Sequence, residues 1–106
     1  MYEIKEDTES LIEAIKKSSV YREYDKQRKK INKDPELKRR INEYRVEVFR
    51  LQNSNEDVSR QMEELVDRNA DFLEDSTVSA FLDADSSLCK MLQQITDRII
   101  KSIDFE

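Results

Sequence analysis

Glycine is absent from this 106-residue chain, and proline occurs once. The hairpin turns, β-bulges and phosphate loops of β-rich or α/β proteins depend on glycine, which adopts positive φ at no steric cost. Charged residues make up 41% of the chain and hydrophobic residues 37%, a ratio typical of helices with a narrow apolar stripe. We therefore expect an all-α fold: an elongated antiparallel bundle of four to five helices with a long helical hairpin, forming a dimer.

Polar helix-capping and helix-breaking residues divide the chain into helices within a single domain, residues 1–106. Asp34 and Pro35 give the clearest helix start, because aspartate is a favoured N-cap and proline at the first helical position loses no hydrogen bond. The segment 52–57, "QNSNED", interrupts the helix formers, and it is either a short loop or a kink. The expected helices cover residues 8–17, 19–32, 35–52, 55–74 and 77–102.

An apolar stripe with a 4-3-4-3 rhythm runs along the third helix, "DPELKRRINEYRVEVFRLQ", which is the seam pattern of packed helices. So few helices cannot cover all their stripes within one molecule. We expect this stripe to lie partly in the core and partly in an interface with a second copy. The candidate dimer or partner interface comprises Leu37, Ile41, Tyr44, Val48, Leu51, Phe81, Asp85, Leu88 and Leu92.

Two residues on the last helix need separate interpretation. Asp85 stands where the stripe calls for an apolar residue, so it either reaches water at the stripe's edge or sets register and partner choice. Cys89, the single cysteine, has apolar neighbours along the stripe, and we expect a small buried residue. Redox sensing and a cysteine pair across a dimer remain alternatives for Cys89.

Charge is distributed unevenly along the chain. Residues 1–53 carry 14 basic and 11 acidic residues, a net charge of +3, whereas residues 54–106 carry 5 and 13, a net charge of −8. The basic stretch from residue 22 to residue 50 is either a solvated mixed surface or a face that docks acidic partners, RNA or the acidic half of a second copy. The candidate basic face comprises Arg28, Lys29, Lys30, Lys33, Lys38, Arg39 and Arg40.

Residue types argue against an enzyme. Histidine is absent, which removes the commonest general base, and the lack of glycine excludes Walker and Rossmann loops. We expect no catalytic, cofactor-binding or metal-binding residue and no cofactor. The polar start "MYEIKEDTES" lacks the features of a signal peptide, no apolar run has membrane-spanning length, and a lone cysteine fits a reducing compartment. A cytoplasmic location without membrane contact is predicted.

The order of these boundaries resembles the YlbF/YmcA family of small bacterial helical proteins. The similar segments are a short leading helix, "SSVYREYDKQRKKINKDPELKRRINEYR" and "STVSAFLDADSSLCKMLQQITDRIIKSI". The residues that carry the resemblance are Asp34-Pro35-Glu36-Leu37, Val78, Phe81-Leu82, Ala84-Asp85, Leu88 and Met91-Leu92.

This resemblance implies a dimerising helical protein with a regulatory or adaptor role instead of catalysis. Some members of the family act with RNA-processing machinery in a complex that bears iron–sulfur clusters, using extra cysteines that this chain lacks, so cluster binding is not carried over. The predicted function is a non-enzymatic adaptor that dimerises and binds cytoplasmic protein partners, with RNA contacted indirectly. The alternative is a direct nucleic-acid binder that uses the basic face.

Overall fold

The computed structural model describes residues 2–104, and every regular element in that range is an α-helix, which confirms the all-α prediction. No helix of these residues combines the length and the hydropathy that a membrane span requires. The helices are α1 (Lys5–Lys17), α2 (Ser19–Asn32), α3 (Pro35–Gln52), α4 (Ser59–Arg68), α5 (Ala70–Glu74) and α6 (Ser76–Asp104).

Short polar side chains cap the N-termini of three of these helices. Ser18 Oγ accepts a hydrogen bond of 3.1 Å from the backbone N–H three residues later, at the start of α2. Asp34 Oδ1 makes the same contact at 3.1 Å for α3, where Pro35 takes the first helical position. Asp75 Oδ1 accepts from two N–H groups of the first turn of α6, at 2.9 and 3.2 Å. Each cap satisfies backbone donors that have no partner within their helix.

The polar segment after α3 is a loop and not a kink. The side chain of Asn53 donates to the Phe49 carbonyl oxygen at 2.8 Å, an additional hydrogen bond to an acceptor in the last turn of α3. At the other end Asp57 Oδ1 accepts from the backbone N–H of Ser59 at 3.0 Å. This backbone hydrogen bond is the main reason that the pKa of Asp57 lies below its ordinary value.

The single helix expected over residues 55–74 is wrong, because the structure divides that segment into α4 and α5. Asn69 lies between them with φ −106° and ψ 15°, outside helical geometry. Its side-chain amide donates to the Leu65 carbonyl oxygen at 2.8 Å and so competes with the helical hydrogen-bond ladder. This division also raises the number of helices within residues 2–104 to six.

The most extensive helix pair is α2 against α6. Ile31, late in α2, shares a cluster with Val78, early in α6. The Tyr24 and Phe81 rings, from an earlier position on α2 and a later one on α6, lie 5.9 Å apart. The two helices are therefore antiparallel. The described residues measure 47 × 37 × 24 Å with a radius of gyration of 17.1 Å, well above the ~13 Å of a compact domain of this length. The molecule is elongated.

The core lies at one end of this pair, where α2, α3, α5 and α6 meet. The Tyr44 and Phe72 rings pack edge to face at 6.1 Å, and the Arg40 guanidinium lies 4.4 Å from the Phe72 ring centre and covers it from solvent. Leu37 also packs against the cluster. The buried residues of the cluster are Ile31, Ile41, Phe72, Val78 and Phe81.

We expect Ile41→Ala to lower the free energy of unfolding by about 2–5 kcal/mol, because Ile41 is 1% exposed and its removal leaves a cavity. Val46→Ala, on the exposed side of the same helix, is the matched control and should shift stability by less than about 0.5 kcal/mol. Urea unfolding followed by circular dichroism at one protein concentration measures both. Equal losses in the two variants would contradict this placement of the core.

Candidate protein-interaction surface

The apolar stripe of α3 passes gradually from the core to the surface. Ile41 is buried in the cluster, and Leu37 and Tyr44 are half-buried against it. Val48 and Leu51, nearer the end of the helix, are also half-buried but lie outside the cluster. The outer half of α3 therefore has no complete apolar partner within the described chain.

The candidate residues of α6 show a similar gradient. Phe81 is enclosed in the core, Leu88 is half-buried and Leu92 is exposed. The nine candidate interface residues therefore do not form one surface. Ile41 and Phe81 are unavailable to a partner, because the single chain already encloses them.

An open groove separates the outer half of α3 from the middle of α6, and we refer to it as the α3–α6 groove. It has a volume of about 750 Å³. Its apolar walls come from Val46 and Phe49 on α3 and from Leu82 on α6, while Asn42 and Gln52 supply uncharged polar groups. The residues that line it are Asn42, Tyr44, Arg45, Val46, Val48, Phe49, Gln52, Leu82, Asp85, Ser86 and Cys89.

One ion pair joins the two walls of the α3–α6 groove. Arg45 Nη2 donates to Asp85 Oδ1 at 3.1 Å, and the Arg45 guanidinium lies 5.7 Å from the Phe81 ring centre. The Asp85 side chain is 20% exposed, so it lies at the boundary between core and solvent. The carboxylate of Asp85 is thus accommodated in an apolar stripe by pairing with Arg45, which lies 40 residues earlier in the sequence.

Val46 and Phe49 are groove residues that the periodicity argument missed. Their side chains are 66% and 67% exposed, although both are large and apolar. They fall outside the 4-3-4-3 stripe, so a seam pattern assigns them to the solvent side. The available signal was their residue type, since two bulky apolar residues on an otherwise charged helix face are candidates for a binding surface.

Cys89 is exposed, so the prediction of a buried thiol is wrong for the single chain. Its neighbours along the stripe are apolar, but the α3–α6 groove is open at this level. The sulfur therefore lines a solvent-filled space instead of packing against a second helix.

Four members of the basic face are engaged within the chain. Asp25 accepts hydrogen bonds from Arg28 and, at 3.0 Å, from Lys29, and the bond from Lys29 is the main cause of the lowered pKa of Asp25. Arg39 pairs with Glu36 and, at 2.6 Å, with Glu43. The hydrogen bond from Arg39 lowers the pKa of Glu36 in the same way. The fourth, Arg40, covers the Phe72 ring.

The other three members of the basic face are Lys30, Lys33 and Lys38. They surround the junction of α2 and α3 and are exposed, and none forms an ion pair with a carboxylate of residues 2–103. The structure therefore reduces the predicted seven-residue face to a small group of three lysines beside neutralised pairs.

The part of the chain that the structure describes holds no group of three or more His, Cys, Asp or Glu side chains placed to bind a metal ion.

Residues 4–104 match the family model described as "Control of competence regulator ComK, YlbF/YmcA". No curated protein and no solved structure matches the chain. The family comparison therefore covers α1–α5 in full and α6 to its last residue, including both walls of the α3–α6 groove.

We expect a thiol reagent to modify Cys89 in the native protein at a rate within about threefold of that for the urea-unfolded chain, because an exposed thiol needs no unfolding to react. Absorbance of the released chromophore during reaction with a disulfide reagent measures both rates. Modification that occurs only after unfolding would contradict the open α3–α6 groove.

Proposed function

The chain belongs to the YlbF/YmcA family, and on that premise we propose that it is a non-enzymatic regulatory adaptor. In this proposal it acts in the cytoplasm as a homodimer and binds a protein partner in the α3–α6 groove. The family's description refers to control of a competence regulator, and the resemblance of the sequence implies RNA-processing machinery as the class of partner. RNA is then contacted through that partner and not by this chain.

The observation that carries this proposal is the exposure of Val46 and Phe49 beside an apolar groove. The core is complete without these residues, since its cluster comes from α2, α3, α5 and α6 at the other side of the Arg45–Asp85 pair. Each bulky side chain left in water forgoes on the order of 1.5–3 kcal/mol of burial free energy. Contiguous apolar surface of this kind marks an interaction site in a monomer.

An amphipathic helix of the partner protein is the occupant that fits the α3–α6 groove best. Two helices form the walls, so a third helix laid between them would complete a three-helix contact by ordinary ridge-and-groove packing. The walls contribute apolar surface, and the charges of Arg45 and Asp85 already neutralise each other. The occupant therefore needs an apolar face with uncharged neighbours, which is the helix-in-groove mode of recognition.

Homodimer formation is supported by a second set of exposed aliphatic residues away from the groove. These residues lie on α1 or immediately before it, and in the second half of α6. Closed two-fold dimers are the commonest assemblies of soluble chains, and an adaptor needs one surface for self-association and a separate one for its partner. The exposed residues are Ile4, Leu11, Ile12, Leu92, Ile99, Ile100 and Ile103.

We expect Val46→Glu to abolish partner capture while the protein stays folded, because a carboxylate on the wall of the α3–α6 groove must lose water when a helix docks. Val66→Glu on α4 is the matched control, as Val66 is also an exposed valine and does not line this groove. Quantitative affinity capture from native lysate with mass spectrometry identifies proteins retained by the wild type and the control but not by Val46→Glu. Purified candidates are then tested by calorimetry.

Two results count against the adaptor proposal. One is a set of captured proteins that is the same for the wild type and Val46→Glu. The other is a partner whose purified form binds both proteins with the same affinity. Thermal unfolding of both variants, monitored by circular dichroism, separates loss of binding from loss of folding.

Direct nucleic-acid binding is the second candidate function, and the group formed by Lys30, Lys33 and Lys38 favours it. Three exposed ammonium groups beside one helix junction can contact phosphates, whereas the remaining cations of the basic face are already paired or stacked. Each phosphate contact releases a counterion, so binding by this group has a characteristic salt dependence.

The adaptor proposal predicts no binding of fluorescent single-stranded RNA at about 150 mM salt, since three lysines supply too little phosphate contact. Fluorescence anisotropy across a salt series measures this, with a variant carrying Lys30→Glu, Lys33→Glu and Lys38→Glu as control. Tight binding with a log–log salt slope near about −2 that the triple variant abolishes would favour the nucleic-acid binder instead.

A further inference from the structure

Helix α6 is much longer than the helix that packs against it. It has 29 residues and α2 has 14, which correspond to about 43 Å and 21 Å. Val20, near the start of α2, lies beside Ala84 and Ser87, so the residues beyond this level of α6 extend past α2. We name residues 90–103 distal α6. Its Leu92, Ile99 and Ile103 are exposed.

Helix α1 also lacks an apolar partner that buries it. None of its residues is buried, and Leu11 and Ile12 are exposed. It joins α2 through Ser18, whose extended backbone (φ −68°, ψ 152°) interrupts the helix at the level of α6 where α2 begins. Helix α1 and distal α6 therefore start from the same part of the fold, and both present apolar stripes to solvent.

These two segments carry opposite charge. Helix α1 contains three basic and four acidic residues, a net charge of −1, and all four carboxylates lie before residue 14. Distal α6 contains three basic and one acidic residue, a net charge of +2. Helix α1 is thus acidic although residues 1–53 have a positive net charge, and distal α6 is basic although residues 54–106 have a negative one. The local distribution therefore makes α1 complementary to distal α6 in both charge and apolar surface.

We propose that α1 of one copy packs along distal α6 of a second copy, and that this reciprocal contact forms the homodimer. This inference rests on the proposed dimer and specifies its interface. In a two-fold dimer a patch that contacts a second patch is contacted by it in return, so one rotation matches both the acidic and the basic segment. Each copy contributes one face of the 13-residue α1 and one face of the 14-residue distal α6 to this interface.

Charge reversal tests this pairing. One variant carries Glu6→Lys, Glu9→Lys and Glu13→Lys, and a second carries Lys90→Glu, Arg98→Glu and Lys101→Glu. Each alone brings like charges together across both halves of the interface, so we expect its dimer dissociation constant to rise about 100-fold or more. An equimolar mixture restores opposite charges in both contacts, and we expect it to form a dimer of one copy of each. Light scattering coupled to size-exclusion chromatography measures all three samples.

Two controls accompany this experiment. The triple variant at Lys30, Lys33 and Lys38 changes charge by the same amount elsewhere and should remain a dimer. Ile99→Glu tests the apolar part of the contact without altering α1 and should dissociate the dimer, whereas Val46→Glu in the α3–α6 groove should not. Circular dichroism confirms that every variant is helical, and rescue by mixing shows that the reversed segments can still fold.

The outcomes separate this inference from the adaptor proposal. Two results would overturn the α1–distal α6 contact and leave the homodimer in place. In the first, both charge-reversed variants dimerise as tightly as the wild type. In the second, Val46→Glu dissociates the dimer and Ile99→Glu does not. Failure of the mixture to dimerise would also overturn it. A wild-type chain that is monomeric at micromolar concentration would overturn both this contact and the homodimer, while partner capture still tests the α3–α6 groove.

Discussion

The antiparallel packing of α2 against α6 is the interaction on which the rest of the structure depends. It aligns Ile31 with Val78 and Tyr24 with Phe81, and α3 and α5 complete the core around this pair. Since α2 is about half as long as α6, burial is concentrated at one end. The chain is therefore stabilised by a small core, while apolar residues elsewhere along it are exposed to solvent.

The Arg45–Asp85 pair marks the boundary between these two regions. On one side of it Ile41 and Phe81 are enclosed, and on the other Val46, Phe49 and Cys89 face solvent. An ion pair at such a boundary costs less desolvation than one in the core, because each partner keeps contact with water. It also joins the two walls of the α3–α6 groove, since Arg45 lies on α3 and Asp85 on α6.

Charge serves different purposes in different parts of the molecule. Near the core, several charges form local pairs, as between Asp25 and the cations Arg28 and Lys29. On α1 and distal α6 the net charges have opposite signs, −1 and +2, and the acidic residues of α1 precede its last turn. Neutral pairs stabilise helices locally, whereas segregated charge specifies what binds.

The sequence by itself determined the helical class and the starts of α2, α3 and α6, because these follow from local chemistry: no glycine, one proline, and capping residues at Ser18, Asp34 and Asp75. The break at Asn69 is also local in origin, although periodicity did not reveal it. Only the tertiary structure decided that Asp85 pairs with Arg45 and that Cys89 and Phe49 are exposed. Periodicity shows which residues share a face of one helix, but it does not show how far the neighbouring helix extends along that face. The relative positions of α2, α3 and α6 set that extent, and they arise from contacts between residues distant in sequence.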